Sequence, residues 1–281
     1  MLRNFAEGSK ILPLSAIALG FLLLLFFALR HLPENTRALM LHVEHPTSYR
    51  FTAYDNLLKK YVKDGLVDYA RLREDPELKT AIDSLERTAG DKMTDEKESA
   101  SFWINANNLL TLKVICDHYP ITNTDQISQF WSQQPFIIGG ETTAVSRVYE
   151  RAMNQLDDRR LPASSVFLIC RGSLGYPPLT DHAITPETFE ADAKLAAYKF
   201  VNNEHNAYYN DERLEFLLSP LFKRYERILN RSNFDTHTFA VMQMSGKNVP
   251  DITNIMITKT YFPKINPTLN DTALSPRKEN E

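Results

Sequence analysis

Two cysteines are the most reactive residue types in this chain, Cys116 in LKVICDHY and Cys170 in SSVFLICRG. A thiolate can attack carbonyl carbon or bind a soft metal, so each position is a candidate for either chemistry. Neither has a CxxC neighbour or a nearby histidine at zinc-ligand spacing, so the sequence points to no metal and no cofactor. Both sit in apolar runs, where free cysteine packs as a small hydrophobe. Two buried thiols are the expectation, and a disulfide is the alternative if the domain is exported. Cys170 is the candidate nucleophile of the enzyme reading.

The remaining chemistry-bearing residues form weaker patterns. His42 and His45 flank Glu44 in a polar stretch, while His118 and His182 have no partner nearby in sequence. Ser173, in RGSLG, does not meet the Gly-x-Ser-x-Gly pattern of a nucleophile elbow. Gly139-Gly140 and the Gly172 to Gly175 loop read as turns, since neither is followed by the Lys-Ser/Thr of a phosphate-binding loop. Asn105 and Asn108 lie three apart on one face of a predicted helix. A buried asparagine must be hydrogen-bonded, so the pair is expected to bracket neighbouring backbone, and pocket lining is the alternative role.

These residues need elements to hold them. Phe51, Tyr54, Leu57, Leu58, Tyr61 and Val62 recur at helical spacing, with Gly65 as the expected stop. A second helix carries Leu78, Ile82 and Leu85, and a long third one runs from about Asp95 to His118, its acidic start complementing the helix dipole. After Trp131 the pattern changes: Phe136 to Ile138, a Gly-Gly turn and Glu141 to Thr143 predict a hairpin. Ser146 is read as the cap of a short helix ending at Met153. Ser165 to Ile169 is read as a buried strand, and Thr185-Pro186-Glu187 as the start of a helix through Phe200. A second hairpin is expected at Asn210-Asp211, then a helix after Ser219-Pro220, a last strand over Ile252 to Tyr261, and disorder from 269 to 281. The fold class is α+β, a helical first half packed on a small, mainly antiparallel sheet with hairpins.

Ahead of this domain, Ile11 to Leu29 carries no charge. As a helix it spans about 28 Å, enough to cross a bilayer core. Ala28-Leu29-Arg30 lacks a small-x-small cleavage site, which predicts an uncleaved anchor rather than a signal peptide. Residues 1–10 then form an N-terminal flank, 11–29 the transmembrane anchor, 30–48 a linker and 49–268 the domain. Arg3 and Lys10 balance Arg30 and Arg37, and only the α-amino group tips the count toward a domain outside the cytoplasm. The composition, 43% hydrophobic and 24% charged with formal charge −3, excludes disorder, and the absence of a basic stripe argues against nucleic acid.

Three stretches, YDNLLKKYVKDGLVDYARL, SFWINANNLLTLKVICDHYPI and FLICRGSLGYPPL with its later LLSPLFKRYE, resemble the DUF547 family of domains of unknown function, over roughly Tyr49 to Asn270. Family members commonly carry Ile-Glu-His after the hairpin and Asn-Cys-x-x-x-x-Cys-Pro-Pro-Leu further on. Aligned on Pro177-Pro178-Leu179, this chain has Arg171 and Tyr176 in place of the two cysteines and Glu150 in place of the histidine. A one-residue insertion instead brings Cys170 to the first position. The resemblance thus implies an inactive relative, or one with different chemistry, in which Glu150 and Arg171 either form an ion pair or are both solvated surface charges. Asn105, Asn108, Arg171 and Tyr176 are the candidate pocket residues, and Cys170 and Glu150 the candidate catalytic ones. The expected function is a non-catalytic, membrane-anchored domain that binds a protein or small-molecule ligand. A Cys170-dependent hydrolase or transferase and an assembly scaffold are the alternatives.

Overall fold

The computed structural model describes residues 51–274, apart from 89, 159, 233–234, 247–248 and 251–257. The flank, anchor and linker assigned to 1–10, 11–29 and 30–48 lie outside the described residues. Among the described residues no helix is long and apolar enough to cross a membrane.

Helix α1, Thr52–Tyr61, buries Tyr54, Leu57 and Leu58. It gives way to a tight hairpin of β1, Val62–Lys63, and β2, Leu66–Val67. Asp64 and Gly65 make the turn with φ of 53° and 82°, so Gly65 belongs to the hairpin rather than to the end of the helix. A Cβ at Gly65 would lie 2.5 Å from Pro178 Cβ, which ties this turn to the loop that carries the candidate site. Two capped helices follow, α2, Tyr69–Leu72, and α3, Pro76–Glu86. Asp68 accepts from the Arg71 amide at 3.1 Å, and Asp75 accepts from Glu77 at 2.8 Å.

The centre is helix α4, Glu96–His118, capped by Asp95, which accepts from the Glu98 amide at 2.8 Å. Every residue from Ser99 to Leu112 is buried. A helix buried on all sides cannot rest on one sheet face, so it needs packing partners around its whole circumference. They are α2, α3 and α5, Phe130–Gln133, and above all α6, Val145–Leu156. Between the last two, β3, Phe136–Ile138, and β4, Glu141–Thr143, form the expected hairpin. Gly139 and Gly140 have φ of 58° and 83° there. Helix α6 has Ala144 at its N-cap without a side-chain cap, so Ser146 does not start it.

The predicted strand Ser165 to Ile169 is a 3₁₀ segment, Ala163–Leu168, buried throughout. Its apolar run reflects contact on every side, against α7, Phe189–Val201, and α6, rather than a place in a sheet. Thr185-Pro186-Glu187 lies just ahead of α7 instead of opening it. Thr185 and Thr188 exchange bonds between their amides and hydroxyls at 3.2 and 3.3 Å, and Thr188 is the N-cap. Strands β5, Ala207–Asn210, and β6, Glu215–Leu218, pair antiparallel as the second hairpin. Short helices α8, Leu221–Arg224, and α9, Glu226–Leu229, replace the single helix read after Ser219-Pro220, and α10 spans Thr236–Gln243. Strand β7, Lys259–Tyr261, adds parallel to β6, and only this end of the expected 252–261 strand is described as such.

Among the described residues the fold is therefore mostly helical with three small separate sheets, two antiparallel hairpins and one mixed trio. The single sheet expected beneath the helical half is replaced by helices and 3₁₀ backbone. The 269–281 tail also differs over its first part. Leu269, Asn270 and Asp271 are buried, and their backbone bonds to Thr122, Gly172 and Val67.

Candidate functional site

The asparagines of α4 bond mainly to backbone. Asn105 donates to the Ile184 carbonyl at 2.7 Å and accepts from the Ile184 amide at 3.0 Å. Asn108 donates to the Leu168 carbonyl at 2.9 Å and accepts from the Cys170 amide at 2.9 Å. Asn107, which sequence reasoning passed over, is fully buried and donates to the Cys170 carbonyl at 3.2 Å. These asparagines are brackets that hold the 168–170 and 184 backbone, and neither Asn105 nor Asn108 opens onto a cavity described here.

The bracketed Cys170 is 2% exposed. Burial pushes its thiol up to about 11, although the Gly172 amide, which donates to Sγ at 3.3 Å, and the Arg171 charge pull the other way. Cys116 is likewise buried and pushed up to about 12, and both cysteines are free thiols. Three of the four described histidine rings bond elsewhere, His118 to the Val114 carbonyl, His182 to Asp181 and Asp192, and His237 to Thr260, and the fourth, His205, is exposed. A thiol that is buried, protonated at neutral pH and without an imidazole base is not an activated nucleophile.

Beyond Cys170 the chain turns outward at Gly172, whose φ of 73° is in the left-handed region. The following loop is laced to the C-terminal segment by Leu174 to Thr268, Gly175 to Asn266 and Asn270 to Gly172 backbone bonds of 2.8 to 3.1 Å. This framework holds Arg171 and Tyr176. The Arg171 guanidinium lies 5.0 Å from the ring centre of Tyr149, 5.3 Å from Trp131 and 5.9 Å from Tyr176, all cation-π distances. Tyr176 Oη accepts from Arg224 Nη1 at 2.7 Å. Tyr176 also borders a cavity of about 280 Å³ with Ser173, Pro178, Lys199, Asn203 and Asn270. Ser173 Oγ there is buried with no hydrogen-bond partner.

The expected Glu150 to Arg171 ion pair is absent among the described residues. Glu150 is exposed and pairs with Arg147, one turn back on α6, at 2.9 Å. Successive helical residues diverge by about 100°, so Tyr149 meets Arg171 and Glu150 faces away. Glu150 instead borders a second cavity, of about 330 Å³, with Trp103, Glu141, Arg147 and Arg151. Of the candidate residues the structure thus joins Arg171 to Tyr176, leaves Glu150 apart and sinks Cys170 beneath them. Trp131, Tyr149 and Arg224 complete the arginine cluster and were not singled out in the sequence. Each comes from a different element and leaves no local motif.

Residues 91–201, which span α4 through α7, match the family model described as protein of unknown function, DUF547. This stretch is similar to the DUF547 family. No curated protein and no solved structure matches the chain. The DUF547 match takes in the SFWINANNLL helix and the FLICRGSLGYPPL loop, whereas the opening YDNLLKKY and the later LLSPLFKRYE stretches lie outside it. Arg171, Tyr176, Tyr149 and Trp131 fall within the DUF547 segment, and Arg224 is supplied from beyond it.

Proposed function

We propose that this chain is a non-catalytic binding protein, tethered to a membrane by residues 11–29, whose DUF547 domain presents the 171–178 loop to a ligand outside the cytoplasm. The observation that carries the non-catalytic reading is the state of Cys170, a buried thiol pushed up to about 11 and hydrogen-bonded to the loop it precedes. Binding is supported by the cavity beside Tyr176 and the unpartnered Ser173 hydroxyl at its wall. Tethering rests on the uncharged stretch Ile11 to Leu29. It would concentrate the binding face at one side of a bilayer, which serves capture as well as it serves catalysis.

A thiol-reactive probe tests the reading on folded native and Cys170→Ser protein. Both are expected to label slowly and only as the fold opens. Rapid one-to-one labelling of the native protein, lost in Cys170→Ser, would restore the thiol enzyme and overturn the proposal.

A further inference from the structure

The Arg171 cluster has an unusual balance of donors and acceptors. A guanidinium carries five N–H donors and no acceptor. Arg171 is half-buried, and among the described residues none of its guanidinium N–H groups has a hydrogen-bond acceptor and no carboxylate pairs with it; three aromatic rings lie within cation-π distance. Among the described residues Arg224 has no carboxylate partner either, its side chain donating to the Tyr176 hydroxyl. Because Tyr176 Oη accepts that bond, its own proton stays available to donate outward. Tyr149, against the same guanidinium, carries a second hydroxyl, which neighbours the buried Tyr225 hydroxyl. The group as a whole presents two fixed positive charges and several hydrogen-bond donors without a built-in counter-ion.

We propose that Arg171 and Arg224, with the hydroxyls of Tyr149 and Tyr176, form a binding site for a phosphomonoester dianion. This rests on the non-catalytic binding reading and names the ligand class for it. A phosphoryl group matches the site better than a carboxylate does. A carboxylate is satisfied by one guanidinium fork, whereas the phosphoryl dianion brings three acceptor oxygens and nearly two charges for two arginines. The ring walls strengthen the case for a designed donor. Trp131, Tyr149 and Tyr176, all at cation-π distance, confine the Arg171 guanidinium without taking up its N–H groups as a carboxylate would, which favours a preorganised donor. Such a phosphoryl group is available both from a soluble phosphomonoester and from an anionic lipid headgroup, and the site chemistry is the same for each.

The test is calorimetric titration of the full chain, in neutral detergent, with inorganic phosphate. Saturable binding is expected, with half-saturation at or below about 1 mM. Arg224→Gln, at an exposed position bonded to one tyrosine hydroxyl, is expected to keep the fold and weaken phosphate about tenfold or more. Arg171→Lys keeps the charge but loses the planar fork, and is expected to weaken it comparably. Micelles containing phosphatidate separate the sources: displacement of phosphate by them identifies a headgroup site, and no displacement identifies a soluble phosphomonoester. Absence of saturable phosphate binding, binding that neither substitution alters, or acetate binding as tightly as phosphate would each overturn the proposal. Thiol labelling decides the non-catalytic reading independently, so the two fail separately.

Discussion

His182 stands between two carboxylates, its Nδ1 2.8 Å from Asp181 Oδ1 and its Nε2 3.1 Å from Asp192 Oδ1. Asp192 is itself buried, and its second oxygen has no hydrogen-bond partner. Burial opposes a charge on the imidazole, but the hydrogen bonds and charges of the two aspartates outweigh it and hold the ring above its ordinary pKa. Asp55, from α1, faces the same group while its own charge is shared with Lys59 at 2.6 Å. A base whose pKa is raised on folding contributes stability below its unfolded value, about 6.5, and loses it as pH rises through the folded value. Asp181, whose pKa is lowered chiefly by its bond to His182, sets the acid limit, because its contribution disappears as pH falls through the lowered value. Native protein is therefore expected to exceed His182→Gln in denaturant midpoint most clearly at mildly acidic pH, with the gap closing toward pH ~8. A gap that is flat across that range would refute the clamp. Little of this was legible in the sequence: Asp181 is adjacent to His182, yet the decisive Asp192 arrives only through the first turns of α7. The asparagine brackets of α4 were legible, because a polar residue in an apolar helix has to be satisfied and backbone is the commonest partner.

At the scale of elements, the turn at Gly172 decides where the site points. A Cβ there would sit 2.2 Å from Ile115 Cδ1 on α4, and the residue has φ of 73°, so the close approach and the backbone both demand glycine. Gly172→Ala is expected to cost roughly 2–4 kcal/mol, from left-handed strain plus overpacking against a buried isoleucine. Urea denaturation measures it. Because the same residue precedes the loop that holds Ser173 and Tyr176, the variant should also displace ligand contacts at that loop. Elements with a local signature were readable: α4 through its Asp95 cap and unbroken apolar content, and both hairpins through their turn residues. The 3₁₀ segment Ala163–Leu168 was not. An apolar run buried on all sides looks the same whether it is strand or tight helix, since periodicity vanishes when every face is covered.

Across the whole molecule, the first and last parts of the described domain meet at the C-terminal strap. Leu269 is 1% exposed, and Asn270 accepts from Tyr69 Oη at 2.8 Å and donates to the Gly65 carbonyl at 3.0 Å. The Val67 amide donates to the Asn270 carbonyl at 2.8 Å, and Asp271 accepts from Tyr119 Oη at 2.9 Å. One short stretch thus closes the β1–β2 hairpin, the end of α4 and the Gly172 loop onto each other. A sequence reading misses it because a polar terminal run of Asn and Asp has the composition of a disordered tail, and only long-range partners distinguish a strap from one. The energetic stake is large for so few residues. Burying Leu269 is worth about 1.5–3 kcal/mol, and each side-chain hydrogen bond of Asn270 and Asp271 adds about 1 kcal/mol. Together these approach a typical domain stability of about 5–15 kcal/mol. Ending the chain at Thr268 is therefore expected to lower the melting temperature sharply or prevent folding. The milder Asn270→Ala should cost roughly 2–3 kcal/mol, since it removes two bonds and leaves Tyr69 Oη and the Gly65 carbonyl unpaired. Circular-dichroism melts of the three proteins decide it: a chain ending at Thr268 that melts with the full-length protein would show that the strap merely rests on the domain.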